Sequence, residues 1–547
     1  MKKKHPTYIF VFGGVMSGVG KGIATSSIGL ILQAKGFDVR PIKIDPYLNV
    51  DAGTMNPTEH GETFVLDSGL ETDQDMGNYE RFLNLDLTNA EYITSGMVYQ
   101  HVIEKERNLG YGGKCVEAIP DIRDEIIGRI EKVARQTDIT LIEVGGTIGD
   151  YQNVMFIEAA RVLGLKHPGS VLYILVSYVP IPGKIGEMKT RPTQNAVRQL
   201  NSYGIQPDMV IARAELPLDH KRKQKIAISC SIPEHGVISA PDIDSIYDVP
   251  VNFEKDKIGE YILDQLSLKT KKNAIGMGPW HHFVRNMKSP KKEVRIAIVG
   301  KYFDTGEFVL SDSYVSVIEA VKFSAYSKGV KPVLTWINSK DFEVNPKKVK
   351  ELDQYDGVIV PGGFGSSGIE GKLKVIEYCR THKIPYFGLC YGMQLAVVEY
   401  ARNVANMKGA HTTEIDPKTT YPVIDIMPEQ KVNLSEKRYG ATMRLGARTA
   451  HVKKGTIAHK AYKTEIVSER HRHRYEVNPE YVKKLEDAGL VFSATSPNGV
   501  LMEIVELPKD KHPFFLGTQF HPELRARPIA PHPLFSAFIE ATKNKGK

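Results

Sequence analysis

The chain has 547 residues, too many for one hydrophobic core, so two or three domains are expected. With 41% hydrophobic and 25% charged residues it has the balance of a soluble globular protein. The net charge of +8 includes lysine clusters at 269–272 and 288–292. No nucleic-acid-binding motif accompanies them, so they are read as solvated linker charge plus lysines that face nucleotide phosphates. The most apolar stretch, near 171–181, is too short to span a bilayer and contains Ser177. The start, MKKKHPTYIF, runs directly into a strand with no signal-peptide apolar region. Cys115, Cys230, Cys379 and Cys390 lack metal-ligand spacing and are too few for a disulfide framework, which points to a reducing cytoplasm.

In chain order, the first half alternates strand and helix. An apolar strand at 8–12 leads into a Gly-rich loop. Residues 23–34 carry helical periodicity and stop at Lys35-Gly36. Further strands are expected at 39–44, 139–144, 171–176, 209–212 and 236–239. From 251 to 293 the pattern weakens into a linker with some helix. A second alternating series follows, with strands at 294–299, 333–337, 357–360 and 384–388. The expected class is α/β, with two doubly wound parallel-sheet domains, without repeats or low-complexity tracts.

The loop GGVMSGVGKG at 13–22 stands between strand and helix, the context in which backbone amides converge on phosphate oxygens. Lys21 would reach the outer phosphates. Gly22 follows it where the common motif has a hydroxyl for magnesium, so carboxylates must come from elsewhere: Asp73 and Asp75 in ETDQD, or Glu143 at a strand end. Lys43, also at a strand end, is a surface lysine if alone and a second phosphate clamp beside a triphosphate.

The second half carries GLCYGMQ at 388–394. Its G-x-C-x-G spacing matches a nucleophile elbow, with Cys390 at a helix N-terminus. His521 and Glu523, in FHPE after a strand at 514–520, fit a base and the acid that orients it. The turn VPGGFG at 360–365 would offer amides for an oxyanion hole. Arg470, Arg472 and Arg474 in SERHRHRYEV either lie on a solvated strand or contact a substrate carboxylate; position alone leaves both open.

From about Tyr8 to Phe538 the chain resembles the CTP synthases, glutamine-dependent UTP amidotransferases. The likeness is carried by KIDPYLNVDAGTMNPTEHGE, ETDQDMGNYERF, EVGGTIGD, KTRPTQ, DSIYDVP, PGGFG, GLCYGMQ, TMRLGA, ERHRHRYEV and QFHPE in that order. It implies an amidoligase domain over 1–268, a linker over 269–293 and a class I glutaminase domain over 294–547. It implies that ATP phosphorylates O4 of UTP, and that ammonia from glutamine, released at Cys390 and passed internally, displaces that phosphate to give CTP. Mg2+ would be held by Asp75 and Glu143. ATP would meet Gly18, Val19, Gly20, Lys21, Gly22, Ile23, Lys43, Asp75, Asp242 and Ile243. UTP, and CTP as feedback inhibitor, would meet Ser17, Asp150, Tyr151, Gln152, Lys189, Thr190, Arg191, Pro192, Thr193, Gln194 and Lys225. Glutamine would meet Gly363, Tyr391, Gly392, Met393, Gln394, Glu414 and Arg474. The resemblance further implies homotetramers with nucleotide sites between subunits, possible filaments, GTP activation, and neither nucleic acid nor membrane as partner.

Some positions depart from the family pattern. Gln152 stands for a glutamate, Glu117 for a glutamine, Asp121 for a frequent histidine, Arg191 for a lysine and Ser367 for an arginine; the segment 427–439 is short. These changes bear on UTP affinity, CTP feedback and GTP response. Two other readings use the same modules: an enzyme that amidates a carboxylate, as cobyrinic acid amidases do, and a silent filament protein. Motif order and KTRPTQ disfavour the first. Intact Lys21, Asp75, Glu143, Cys390, His521 and Glu523 disfavour the second.

Overall fold

A computed structural model describes residues 6–56, 60–183, 186–289, 292–300, 314–363, 367–427, 430 and 442–545. Two compact units emerge: Met1–Asp51 with Asn78–Val284, and Ala52–Gly77 with Arg285–Lys547. The segment 427–439, apart from Met427 and Gln430, lies outside the described residues, as do Phe364 and Gly365 of the VPGGFG turn.

The N-terminal half contains strands β1 (Thr7–Gly13), β2 (Val39–Asp45), β3 (Phe64–Val65), β4 (Glu71–Thr72), β5 (Tyr92–Thr94), β6 (Ile139–Val144), β7 (Val171–Tyr178), β8 (Met209–Ala214) and β9 (Val237–Pro241). Seven form one sheet in the order β5-β2-β6-β1-β7-β8-β9. Every pairing is parallel. Such a sheet is covered on both faces, which is why β1 reads as an unbroken apolar run and is buried throughout. Phe10, Phe12, Ile142, Val144 and Leu175 share one core with residues of the helices Arg123–Ala134 and Val154–Lys166. The helix Lys21–Ala34 contacts β2 and β6. It ends as expected: Gly36 takes φ +93°, and its amide donates to the Gln33 carbonyl at 2.8 Å.

The stretch expected to be a linker is more ordered than composition suggested. Helix Gly278–Lys288 begins inside MGPWHH. Trp280 is buried, donates Nε1–H to the Tyr247 carbonyl at 2.9 Å, and lies 5.0 Å from the Phe82 ring. An aromatic this large buries its area wherever a groove exists. Residues up to Val284 therefore belong with the first unit.

The second half adds β10 (Lys292–Gly300), β11 (Val330–Asn338), β12 (Gly357–Val360), β13 (Tyr386–Leu389), β14 (His411–Thr412), β15 (Pro422–Ile426), β16 (Arg444–Val452), β17 (Ile466–His473), β18 (Tyr475–Val477), β19 (Val491–Thr495), β20 (Met502–Glu506) and β21 (Phe515–Thr518). Nine make a sheet in the order β11-β10-β12-β13-β21-β20-β19-β16-β17. Strands β10 to β13 and β21 pair in parallel, as expected. The β20, β19, β16 and β17 side is antiparallel, an extension that the apolar runs did not separate. Alternation fills both faces: Val358 and Val360 enter the core shared with helix Ile369–Thr381, while the Phe387 ring meets Phe535 at 5.0 Å. All four cysteines are free. No helix among the described residues is long and apolar enough to cross a membrane.

Trp280→Ala removes the indole and leaves a cavity. It is expected to destabilise the first unit by about 3–5 kcal/mol. Urea unfolding followed by far-UV circular dichroism checks this; an unchanged midpoint would return 278–284 to the status of a loose tether.

Candidate functional site

Parallel strands deliver their C-terminal ends to one edge of a sheet. In the first unit, β2, β6 and β1 are neighbours, and Lys43 sits directly across from Glu143 in register. Lys43 is buried; its Nζ lies 3.2 Å from Glu143 Oε1 and 3.6 Å from Asp45 Oδ1. The surface-lysine reading is thereby overturned. Glu143 also accepts from the Tyr79 hydroxyl. The Gly-rich loop follows β1 and enters its helix through Gly20, whose φ of +91° a side chain would strain. Lys21 is buried at the start of that helix and donates Nζ–H to the Gly146 carbonyl at 2.7 Å. Ser17 and Gly18 are exposed at the loop tip. A cavity of about 230 Å³ opens beside the loop, lined among others by Val19, Gly20, Ile23, Arg213, Asp242 and Ile243. Arg213 Nε donates to Asp242 Oδ1 at 3.2 Å. Sequence reasoning missed Arg213 because it ended that strand at 212, two residues early.

Asp73 and Asp75 lie at the start of the helix Gln74–Leu83. Asp73 Oδ1 accepts the Asp75 amide at 2.8 Å, the pattern of a helix cap. Among the described residues no group of three or more His, Cys, Asp and Glu side chains could hold a metal ion. Asp75 and Glu143 are hard oxygen donors, and Mg2+ commonly binds through one or two carboxylates completed by water and substrate phosphates. The donor chemistry thus fits that ion.

The residues expected around the pyrimidine nucleotide fall into several groups. Asp150 Oδ2 accepts the Thr147 amide at 2.6 Å, while Tyr151 is 95% exposed and Gln152 is exposed beside it. Thr190 precedes the helix Arg191–Ser202, with Pro192 in its first turn. Thr193 Oγ1 meets the Ser177 hydroxyl at 2.9 Å, and Gln194 Nε2 donates to Thr190 Oγ1 at 3.2 Å. Lys189 pairs with Glu187 at 2.7 Å, and Lys225 is exposed. The Glu117 amide donates to Asp121 Oδ2 at 2.9 Å, so these two unusual positions are one local unit.

In the second unit, β13 ends at Leu389 and the helix Tyr391–Asn403 starts two residues later. Cys390 joins them at φ 48°, ψ −97°, a conformation that costs free energy in a residue with a Cβ and persists only when its surroundings impose it. They do: the Cys390 amide donates to Thr518 O at 2.6 Å, and a Cβ on Gly392 would lie 2.1 Å from Val360 O. Only glycine lets the helix approach β12 this closely. Tyr391, Met393 and Gln394 bury their side chains, so what this first turn offers a ligand is backbone N–H. Gln519 Nε2 lies 3.7 Å from Cys390 Sγ.

His521 Nδ1 lies 2.7 Å from Glu523 Oε1. A Cβ on Gly362 would sit 2.9 Å from His521 Cε1 and 3.7 Å from Cys390 Cβ, so turn, imidazole and cysteine adjoin. Burial by itself would lower the His521 pKa; the Glu523 carboxylate and the Cys390 sulfur outweigh it and hold the pKa well above the ordinary value. The Glu414 amide donates to Thr412 Oγ1 at 3.2 Å, and Arg474 reaches Gln430 at 2.6 Å and Thr442 at 3.0 Å. The other two arginines are not on a solvated strand: Arg470 pairs with Asp67 and Arg472 with Glu71. Sequence reasoning missed Asp67 and Glu71, although DSG at 67–69, after the apolar run 64–66, was a turn signal.

The model described as glutamine amidotransferase class-I matches residues 309–541, and with the elbow it defines a glutamine-dependent amidotransferase. The model described as CTP synthase N-terminus matches residues 7–268. The CTP synthase of Thermococcus gammatolerans is 49% identical over 540 residues, 98% of this chain and 99% of that protein. That of Pyrococcus furiosus is 49% identical over 538 residues, 98% of each. The chain belongs to the CTP synthase family. A solved glutaminase domain of Trypanosoma brucei CTPS with bound acivicin is 37% identical over 46% of this chain and 95% of its own, with a TM-score of 0.42.

The raised His521 pKa has a direction that can be tested. Its contribution to stability is fully present below the ordinary 6.5 and is lost as pH rises through the higher folded value. Glu523→Gln is expected to move the His521 midpoint down, read by NMR titration of labelled imidazole. A midpoint that stays put would remove Glu523 as the cause.

Proposed function

We propose that the chain makes CTP from UTP, ATP and glutamine, with the two reactions divided between an amidoligase domain (1–268) and a glutaminase domain (294–547) joined by 269–293. The carrying observation is the strained Cys390 elbow beside a His521–Glu523 pair, in a chain whose other half holds the phosphate loop.

In the glutaminase reaction the Cys390 sulfur attacks the carboxamide carbon of glutamine. His521 takes the thiol proton and returns it to the departing nitrogen, which leaves as ammonia. Glu523 holds the imidazole by Nδ1 and stabilises its charged form. Amides of the Gly362–Gly363 turn and the helix first turn face the oxyanion. Water then attacks the thioester and releases glutamate. Gly363, Tyr391, Gly392, Met393, Gln394, Glu414 and Arg474 bind the substrate, Arg474 at its carboxylate.

In the synthase reaction the loop from Gly18 to Ile23 cradles the triphosphate, with Asp242 and Ile243 in the cavity beside it. Lys21 and Lys43 supply fixed positive charge to the transferring phosphoryl group. Asp75 and Glu143 would hold Mg2+, which when bound neutralises phosphate charge. The γ-phosphoryl moves to O4 of UTP; ammonia adds at C4 and inorganic phosphate departs. Ser17, Asp150, Tyr151, Gln152, Lys189 to Gln194 and Lys225 bind the pyrimidine nucleotide, and CTP competes there. We further read the enzyme as a cytoplasmic homotetramer that GTP activates.

One set of assays tests this reading. Cys390→Ala is expected to abolish glutamine hydrolysis and glutamine-dependent CTP formation while keeping synthesis from added ammonium. Asp75→Asn and Glu143→Gln are expected to lower synthesis from either nitrogen source on the order of 10²-fold or more. Glutamine turnover by Cys390→Ala, or full ammonium-dependent activity in both carboxylate variants, would overturn the respective assignment.

A further inference from the structure

The second unit contains one segment from early in the chain. The backbone leaves the first unit after Asp51, runs through 52–77 in the second, and rejoins the first at Asn78. Within that segment β3 and β4 pair as a hairpin, Phe64 across from Thr72 and Val65 from Glu71. The turn closes at Gly69, whose φ is +92° and whose amide donates to Leu66 O at 2.9 Å. Strands of two residues cannot hold a hairpin together in water. Something outside the hairpin must fix it.

Three arginines do so. Arg470 Nε donates to Asp67 Oδ1 at 2.5 Å, and Arg525 Nη2 donates to Asp67 Oδ2 at 2.7 Å. Arg472 Nε donates to Glu71 Oε1 at 2.8 Å. The Ala447 amide donates to Asp67 O at 2.8 Å, and Glu62 accepts the Ser316 amide at 3.0 Å where the helix Val315–Ser327 begins. The Arg470 side chain is fully buried, its guanidinium 5.3 Å from the Phe64 ring centre. Burial would raise the Asp67 carboxyl, but Arg470 and Arg525 hold it below the usual range.

The same three arginines are tied through their backbone to the cysteine site. Arg470 O accepts the His521 amide at 2.8 Å, and Arg472 O accepts from the Cys390 thiol at 3.9 Å. Arg525 ends the turn Pro522–Arg525 that contains Glu523. Strand alternation puts the side chains of Arg470 and Arg472 on one face, that of the hairpin. On its other side the hairpin runs straight into Asp73 and Asp75.

We propose that Asp67 with Arg470 and Arg525, reinforced by Glu71 with Arg472, is a positioning clamp that couples glutamine hydrolysis to the use of its ammonia. The inference rests on the reading of Cys390, His521 and Glu523 as the glutaminase centre. Asp67 and Glu71 do not touch reacting atoms. They fix the hairpin, and with it the segment leading to Asp75, against the strand whose carbonyls border the cysteine and the imidazole. Loosening the clamp leaves each half-reaction its own residues but lets ammonia escape before use.

The test compares Asp67→Asn, Asp67→Glu and Arg525→Lys in the full-length enzyme. Three rates are measured for each: glutamate release, CTP from ammonium, and CTP from glutamine. In Asp67→Asn the first two are expected to stay within about threefold of the native enzyme, while CTP formed per glutamate released falls at least about fivefold, the scale expected for misplacement away from the chemistry. Asp67→Glu, which keeps the charge, is expected to recover most of the ratio. A native ratio in Asp67→Asn overturns the proposal, and so does a parallel loss of both half-reactions at constant ratio, which a merely structural contact would give. If Asp67→Asn does not fold, Arg525→Lys decides: a lowered ratio supports the clamp and an unchanged ratio overturns it. Cys390→Ala run alongside separates the two readings, because continued glutamate release there would remove the assigned nucleophile and leave the ratio data standing.

Discussion

A buried parallel strand that stops, turns within a few residues and starts a helix is the constraint on which both halves of this chain depend. In the first unit β1 ends at Gly13 and the helix begins at Lys21; in the second β13 ends at Leu389 and the helix begins at Tyr391. Each helix start presents the positive end of the helix dipole, and each turn contains a residue at positive φ, Gly20 at 91° and Cys390 at 48°. In the function proposed above, the longer turn takes the triphosphate and the shorter one presents the Cys390 sulfur, so loop length would separate the two chemistries on two similar frameworks.

Charges at these edges are buried and consequently paired. Lys43 has Glu143 and Asp45, and His521 has Glu523. An ion pair of this kind adds little net stability, because desolvation offsets the attraction, but losing one partner leaves the other exposed to the full cost of burial. Substitutions at Glu143 or Glu523 thus act on their partner as well as on any ligand. The same holds for Arg470, whose buried guanidinium is matched by a carboxylate drawn from another part of the chain.

The hairpin 64–72 shows why domain boundaries read along a sequence differ from boundaries in space. It lies within the part of the chain that matches the synthase model, yet it is held by residues 447, 470, 472 and 525. Its own strands are too short to anchor it. Charge placed by distant segments decides where it rests.

The sequence by itself determined the local frames. The apolar runs at β1, β6 and β12, the Lys35-Gly36 stop and the glycines around Cys390 all follow from short-range sterics and burial, which act over a few residues and so leave a pattern that can be read in one dimension. It also determined the His521–Glu523 pair, because two residues of spacing already bring those side chains within reach. What only the tertiary structure decided was long-range pairing. Lys43 stood open between a surface lysine and a phosphate clamp until register buried it across from Glu143, 100 residues away in sequence. Asp73 was one of three carboxylates the sequence offered, and only the structure shows that it accepts an amide at a helix start. Arg470 and Arg472 remained ambiguous because their partners, Asp67 and Glu71, lie some 400 residues upstream. Coulombic pairing depends on distance in space and carries no periodicity along the chain, so no local pattern announces it.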